Sequence, residues 1–588
     1  MQWVITKAIE AKSPLARRDE ITRILLTNRG IVGEAETREY LTPQKPDHLT
    51  AGTVNISLRE LKKAVKRIET AIRKKEHIVV YGDYDADGIC STAILWEALH
   101  SLGADTLPFI PLREKHGYGL SIKGIDDLLN SGKVRPSGKI PTISRDVQSS
   151  KVRQGRTLSK PPSLIITVDN GIVAFDAVEY AFRKGIDVII CDHHEKAKKL
   201  PKAMAIIHTT LLSGSGVAWV FAKEIIRSSR KKAAAQKTLD LATIGTVADM
   251  VPLLGPNRSL VKYGLSVLQK HSRIGLKLLL QEAAVEPEAL AIYHINYVIA
   301  PRLNAMGRLE HALDALRLIC TKSPERAREL AQKLGTTNRR RQELTEEMLN
   351  HAKKLSGRIS ASIGSKKILI IDHQDFHEGV IGLIAGKLVE EYYRPVIVVA
   401  KGGEISKASA RSIAGFNIIK AIRKTEHLLI DAGGHPMAAG FTIRTENIQA
   451  FKKLMLRIAS VELSPDLLQP KLSLDAQILL NDVTWELYEK LEGMEPFGIA
   501  NPKPAFAIRE MRVVNTRAVG REKQHLKLTL AQGNETIDGI AFSLGNLAAK
   551  LRGGSQVDVA ATLEQNIWNG RKELQLRVKD IKSLSLKD

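Results

Sequence analysis

The segment Tyr81-Gly82-Asp83-Tyr84-Asp85-Ala86-Asp87-Gly88 constrains the fold most. It follows the apolar run His77-Ile78-Val79-Val80 and precedes Ile89-Cys90-Ser91-Thr92-Ala93-Ile94-Leu95-Trp96. A short β-branched run, an acidic turn with glycine and an apolar helix make the βα unit of an open parallel sheet. The pattern recurs. Leu164-Ile165-Ile166-Thr167 leads into Val168-Asp169-Asn170-Gly171, and Asp187-Val188-Ile189-Ile190 into Cys191-Asp192-His193-His194, with Asp176 to Arg183 as a crossover helix between them. Groups placed after strands of such a sheet gather beyond its carboxyl edge. The acidic and imidazole clusters, with Val247-Ala248-Asp249, are therefore expected to meet.

A chain of 588 residues is too long for one core, and about three or four domains are expected. No apolar run reaches the ~18 residues of a membrane span, and Met1-Gln2-Trp3-Val4 lacks the form of a secretory signal. Cys90, Cys191 and Cys320 are too widely spaced to suggest a disulfide framework or a thiolate zinc site, which fits a reducing cytoplasm. Lys and Arg number 88 against 64 Asp and Glu, a net +24, so a polyanion such as nucleic acid is the expected partner.

Residues 1–50 read as a helical segment, helical to about residue 45, and 51–321 as an α/β domain. Residues 131–162 interrupt that domain with a basic insertion rich in Ser, Gly and Pro. A polar connecting helix is expected over 322–365, followed by a second α/β domain over 366–462. That domain has strands at 368–371 and 395–399, a helix over 380–392 and the segment Gly433-Gly434-His435-Pro436-Met437-Ala438-Ala439-Gly440. In 463–588 the period changes to two, at Leu526, Leu528 and Leu530 and at Leu574, Leu576 and Val578. Asn569-Gly570 gives a hairpin turn, so a small OB-like β-barrel is expected after a linker, with Trp568 a candidate base-stacking platform and no further domain beyond it.

Asp83-x-Asp85-x-Asp87-Gly88 begins like a calcium loop, but Ile94 occupies the position of the required Glu and a strand precedes it. Gly382 to Lys387 is one residue short of a phosphate-binding loop, and Leu388 stands where Ser or Thr is needed. Any single aspartate here serves as readily as a helix cap. Several in one cleft do not: two carboxylates about 4 Å apart repel by roughly 4 kcal/mol at an effective dielectric near 20. Carboxylates with imidazoles suit manganese or magnesium, and two such ions form a phosphoester-cleaving clamp. Arg302 and Arg308, and Arg411 between Ser409 and Ser412, are candidate phosphate ligands.

Taken in order, these motifs resemble the DHH phosphoesterase superfamily and, within it, the RecJ family of single-strand-specific exonucleases. The resemblance rests also on Arg113 with Gly117-Tyr118-Gly119-Leu120, on Gly214 to Ala218, and on Arg302-Leu303-Asn304-Ala305-Met306-Gly307-Arg308. It implies a DHH catalytic domain, a DHH-associated domain and the barrel. Asp85, Asp87, Asp169, His193 and Asp249 would hold two Mn2+ or Mg2+ ions, with Asp169 bridging. Asp83 and His194 would serve catalysis, His194 by facing the scissile phosphate and Asp83 by supporting the turn or binding metal through water. Arg113, Arg302, Asn304 and Arg308 would bind the strand near the cut, and Ser409, Arg411, Gly434 and His435 a 5′-terminal phosphate. The implied activity is 5′-to-3′ removal of mononucleotides from single-stranded DNA in repair and recombination. A monomer, possible helicase and single-strand-binding partners and no membrane are the corresponding expectations. A phosphodiesterase for very short RNA or cyclic dinucleotides fits less well, because such relatives lack the barrel. A catalytically silent scaffold would have lost the acidic ligands.

Overall fold

A computed structural model describes residues 1–7, 9–11, 13–130, 161–229, 235–270, 273–357, 366–568 and 570–583. Nearly all of the expected 131–162 insertion thus lies outside the described residues, as do Asn569 and the side chain of Trp568. The chain folds as two compact units. One comprises Trp3–Gly307, His311–Leu334 and Ser473–Asp588, and the other Met1–Gln2, Arg308–Glu310 and Gly335–Leu472. Among the described residues no helix is long and apolar enough to cross a membrane.

The chain opens with a strand, β1 (Gln2–Lys7), and then helices α1 (Pro14–Asn28) and α2 (Glu34–Leu41). The strand corrects the expectation of a wholly helical start. β1 is a largely exposed edge strand paired with Lys471–Ile478 near the other end of the chain, and Thr6 Oγ1 donates to Leu474 O at 3.1 Å. Such a partner leaves no local signature. The two helices bury Ile21, Ile24, Leu25 and Tyr40 in the same core as Phe506, Ile508 and Leu526. Arg29, 7% exposed, donates to Asn501 Oδ1 at 2.7 Å and pairs with Asp475 at 3.2 Å. The N-terminal segment therefore packs into the barrel's core.

Helix α3 (Leu58–Lys74), capped by Ser57, leads into the first α/β layer. Its elements are β2 (His77–Tyr81), α4 (Ala86–Ser101), β3 (Asp105–Phe109), β4 (Leu164–Val168), α5 (Phe175–Arg183), β5 (Asp187–Asp192) and β6 (Ala205–His208). The strands are all parallel, in the order β3-β2-β4-β5-β6. β4 is buried along its whole length, as a sheet covered on both faces requires. α4, α6 (Gly214–Ser228) and α7 (Leu239–Ala248) contribute to one large core, and α5 to a second with Tyr81, Ile165 and Ile190. The register aligns Tyr81 with Thr167 and Val168 with Cys191, so the acidic turns leave the sheet at one edge. Helix α8 (Ala300–Leu309) follows a five-residue π-helical turn, Ile295–Ile299.

The long helix α9 (Pro324–Gly357) belongs to the first unit up to Leu334 and to the second from Gly335. The second unit holds β7 (Leu369–His373), α10 (Ile381–Tyr392), β8 (Val396–Ala400), β9 (Ile405–Arg411), β10 (Leu429–His435) and β11 (Ala438–Arg444). Its sheet order is β10-β11-β9-β8-β7; only the β7–β8 pair is parallel.

The barrel is built from β12 (Lys471–Ile478), β13 (Phe506–Val519), β14 (His525–Gln532), β15 (Glu535–Ala541), β16 (Gln556–Trp568) and β17 (Arg571–Ser583). Pairing runs β13-β14-β15-β17-β16 and returns to β13, a closed five-stranded barrel with β12 and β1 continuing the sheet beyond β13. Leu526, Leu528, Leu530, Leu576 and Val578 are buried at alternate positions, as the period of two predicts. β16 and β17 pair down to Trp568 opposite Arg571, and Gly570 in the turn has φ +78°.

Candidate metal centre

The acidic turn begins where β2 ends. Asp85 caps α4, its Oδ1 accepting from Gly88 N at 2.9 Å. Glycine is demanded here: a Cβ on Gly88 would lie 2.6 Å from Asp83 Cβ. Asp87, in the first turn of α4, accepts from Gly214 N at 2.7 Å and Ser215 N at 2.9 Å, so its charge sits at the start of α6, where the helix dipole favours an anion. A Cβ on Gly245 would lie 2.3 Å from Asp87 Oδ1, and one on Gly214 2.4 Å from Asp169 Oδ1. Backbone thus packs directly against two of the carboxylates.

Asp169 follows β4 at φ +62°, an unusual conformation for a non-glycine residue and one that concentrates at functional sites. Asn170, buried beside it, donates to Tyr81 O at 3.3 Å and Val168 O at 2.8 Å and accepts from Leu120 N at 3.1 Å. It locks two strand ends together. His193 follows β5, with Nε2 3.1 Å from Asp169 Oδ1 and 3.6 Å from Asp249 Oδ2. Asp249 comes from a helix rather than a strand: it is the C-cap of α7, where the helix dipole disfavours a carboxylate and favours a cation.

Asp83, Asp85 and Asp169 offer one ligand atom each, all within 4.8 Å of one another, and so do Asp87, His193 and Asp249. The 3.1 Å contact between His193 and Asp169 joins the two triads. Asp83 Oδ1, Asp169 Oδ1, His193 Nε2 and Asp249 Oδ2 are all buried without a hydrogen-bond partner. Buried polar atoms left unsatisfied in two linked triads call for a ligand. Burial, reinforced by neighbouring carboxylates, pushes Asp83, Asp85 and Asp169 up from the usual carboxyl range, and Asp249 up to about 9. Burial pulls His193 down, which keeps it neutral as a metal ligand must be. Hard oxygen donors with an imidazole fit Mn2+ or Mg2+.

Asp192, to which sequence alone assigns no role, organises the imidazoles. It is 1% exposed and accepts from Ile172 N, His193 N and His194 N, and pairs with His194 Nδ1 at 2.7 Å. Burial pulls His194 down, but the Asp192 hydrogen bond and charge outweigh it, so its pKa is raised. Tyr118, also without an assigned role, places its hydroxyl 3.2 Å from His194 Nε2. Both lay within quoted motifs; the missing signal was the carboxylate–imidazole pairing two residues apart.

The expected substrate ligands divide. Asn304 reaches the acidic turn, where its Oδ1 accepts from Ala86 N at 2.7 Å. Exposed Arg113 lies with its guanidinium 5.6 Å from the Tyr84 ring centroid. Arg302 is engaged by Glu282 at 3.0 Å, so a phosphate there must compete with that carboxylate. In the second unit, Arg308 donates to Gly379 O at 3.0 Å. There Arg411 and Ser409 lie beside the start of α10, a Cβ on Gly382 falling 3.0 Å from Ser409 Oγ and 3.1 Å from an Arg411 nitrogen. Register places Ala438 opposite both Arg411 and His435, so the two share one end of three adjacent strands. Gly434, at φ +140°, has no room for a Cβ, which would meet Ala438 O at 2.4 Å.

The DHH family N-terminal domain matches residues 77–246, the DHHA1 domain 365–460 and the RecJ OB domain 474–580. The single-stranded-DNA-specific exonuclease RecJ of Bacillus subtilis is 31% identical over 595 residues, covering 99% of this chain and 70% of that protein. The Escherichia coli protein of the same name is 30% identical, covering 97% of this chain and 96% of that one. The crystal structure of RecJ from Thermus thermophilus in complex with Mn2+ superposes with a TM-score of 0.79 at 28% identity, covering 99% of this chain and 79% of that one.

Proposed function

The chain belongs to the RecJ family, and from that premise we propose the reaction and the roles of its residues. It is a metal-dependent exonuclease for single-stranded DNA. It cuts from the 5′ end and releases mononucleotides. Asp85, Asp87, Asp169, His193 and Asp249 would hold two divalent ions, with Asp169 serving both, and Asp83 would support the turn or bind a metal through water. Such ions would supply an activated water and charge stabilisation for the oxygens of the phosphodiester being cut.

The protein's own groups do the positioning. Asp192 fixes the His194 ring through its 2.7 Å contact with Nδ1, so that the Nε2 edge is the one turned to a phosphate oxygen. Asn304 holds the amide after Asp85 and thereby the geometry of the acidic turn. Arg113, Arg302 and Arg308 steady the backbone next to the cut. Ser409, Arg411, Gly434 and His435 bind the terminal phosphate, which sets the end from which residues are counted. The barrel guides the strand. The protein acts as a monomer in the cytoplasm, in repair and recombination, alongside a helicase and a single-strand-binding protein.

The observation carrying this reading is the pair of linked triads, in which Asp169 Oδ1, His193 Nε2 and Asp249 Oδ2 are buried and make no hydrogen bond. The test incubates the purified chain and Mn2+ with single- and double-stranded DNA, 5′-phosphorylated and labelled at either end. Mononucleotides released only from the 5′ end of the single strand are expected. Release from the 3′ end refutes the polarity, and intact single strands refute the activity.

A further inference from the structure

Two tyrosines stand on the surface of the segment that leads into α8. Tyr293 and Tyr297 are 63% and 66% exposed, and their rings pack on each other with centroids 4.8 Å apart and planes at 34°. His294 meets Tyr293 edge-on at 5.5 Å. Single apolar residues scattered on a surface are ordinary. A mutually packed aromatic pair left in solvent is costlier, because it forgoes burial that a neighbouring element could have supplied. Tyr297 lies in the π-helical turn Ile295–Ile299, whose Ile295 and Ile299 are fully buried, and Tyr293 in the turn Ile292–His294 just before it. Such turns cluster at functional sites because they re-aim side chains without breaking the helix.

The helix continues without interruption into α8 and reaches Asn304, whose side chain holds the acidic turn. Tyr297 precedes Asn304 by seven positions, about two turns and ~10 Å of rise along the same helix. One element thus ends at the metal centre and, a short way back along its length, presents two exposed rings.

We propose that Tyr293 and Tyr297 form a stacking platform for an unpaired base of the DNA strand, a few nucleotides from the scissile bond. The inference rests on the single-strand exonuclease reading and adds a binding subsite to it. Every base has a π-face, so an aromatic platform holds a strand without reading its sequence. A duplex keeps its bases stacked inside and gains nothing from the rings, so the pair also favours single strands. Substituting either ring removes little packing, because both are mostly exposed.

The test uses the full chain with metal chelated, so that a 5′-phosphorylated oligothymidylate is bound but not cut. 2-Aminopurine is placed at successive positions from the 5′ end. One or two adjacent positions are expected to report stacking. In the Tyr293→Ala/Tyr297→Ala variant that signal disappears and affinity falls about 5- to 150-fold for each base that stacks. Tyr293→Phe/Tyr297→Phe restores both, and an oligonucleotide abasic at the reporting positions binds wild type and the alanine variant equally. Unchanged binding and an unchanged positional profile in the alanine variant overturn the platform, as does failure of the phenylalanine variant to restore them. Degradation of the same oligonucleotide by wild type with Mn2+ is measured alongside. If it proceeds while the platform test fails, only the platform is wrong; if it does not proceed, the exonuclease reading has failed.

Discussion

Asp169→Asn should make the metal-free protein more stable while abolishing its chemistry. Asparagine keeps the shape of the side chain and tolerates the left-handed backbone at φ +62°. It removes one charge from a group in which Asp83, Asp85 and Asp169 present ligand atoms within 4.8 Å of one another. At that separation and an effective dielectric near 20, each ionised pair costs about 3.5 kcal/mol. Two such pairs come to about 7 kcal/mol, and one ionised neighbour gives about half of that. The pH dependence follows from the raised carboxyls, of which Asp249 lies at about 9. Between about pH 4 and 9 the folded chain then holds more protons than the unfolded one, so metal-free stability falls as pH rises through that window. Urea unfolding of the full chain in chelator should show Asp169→Asn matching wild type near pH 4 and exceeding it by about 3 kcal/mol at pH 8. With Mn2+ the order reverses, and hydrolysis of single-stranded DNA falls at least about 100-fold. A metal-free variant less stable than wild type at pH 8, or a difference that ignores pH, refutes the reasoning.

Gly245→Ala would drive a Cβ to within 2.3 Å of Asp87 Oδ1 and 2.2 Å of Ser215 Oγ; a loss of about 1–3 kcal/mol in thermal unfolding and weakened Mn2+ binding by calorimetry are expected. Asp192→Asn removes the charge that raises His194. Its imidazole resonance should titrate at lower pH, and the stability cost should be larger at pH 5 than at pH 9, because a raised histidine stabilises the fold only below its folded-state pKa. Arg411→Ala should raise KM for 5′-phosphorylated DNA and reduce the advantage of that substrate over its 5′-hydroxyl counterpart, with kcat little changed.

The sheet and its acidic edge could be read from the sequence because β2, β4 and β5 are largely buried apolar runs, each followed within two residues by its Asp or His. The barrel was legible for the same local reason, the alternation in β14 and β17. What escaped depends on distant partners. β1 is a short, exposed strand whose pairing segment lies over 460 residues away, as its Thr6–Leu474 bond shows, so nothing in Gln2–Lys7 itself marks it. The aspartate of Arg29 and the glutamate of Arg302 are likewise set by packing. Asp249 was picked as a ligand by its motif, but its place at a helix end, against the dipole, only the fold reveals. Asp192 was visible in the Asp-His-His run; that its carboxylate faces His194 rather than the other ligands needed coordinates.

The account turns on whether the linked triads cage divalent ions. Calorimetric titration of the metal-free full chain with Mn2+, in buffers of different ionisation enthalpy at pH 7, addresses this directly. Two saturable sites per chain are predicted, with protons released on binding because Asp249 and its neighbours carry them beforehand, and with at least one site lost in Asp169→Asn. Absence of saturable Mn2+ binding, or binding that releases no protons and is unchanged in Asp169→Asn, would contradict it.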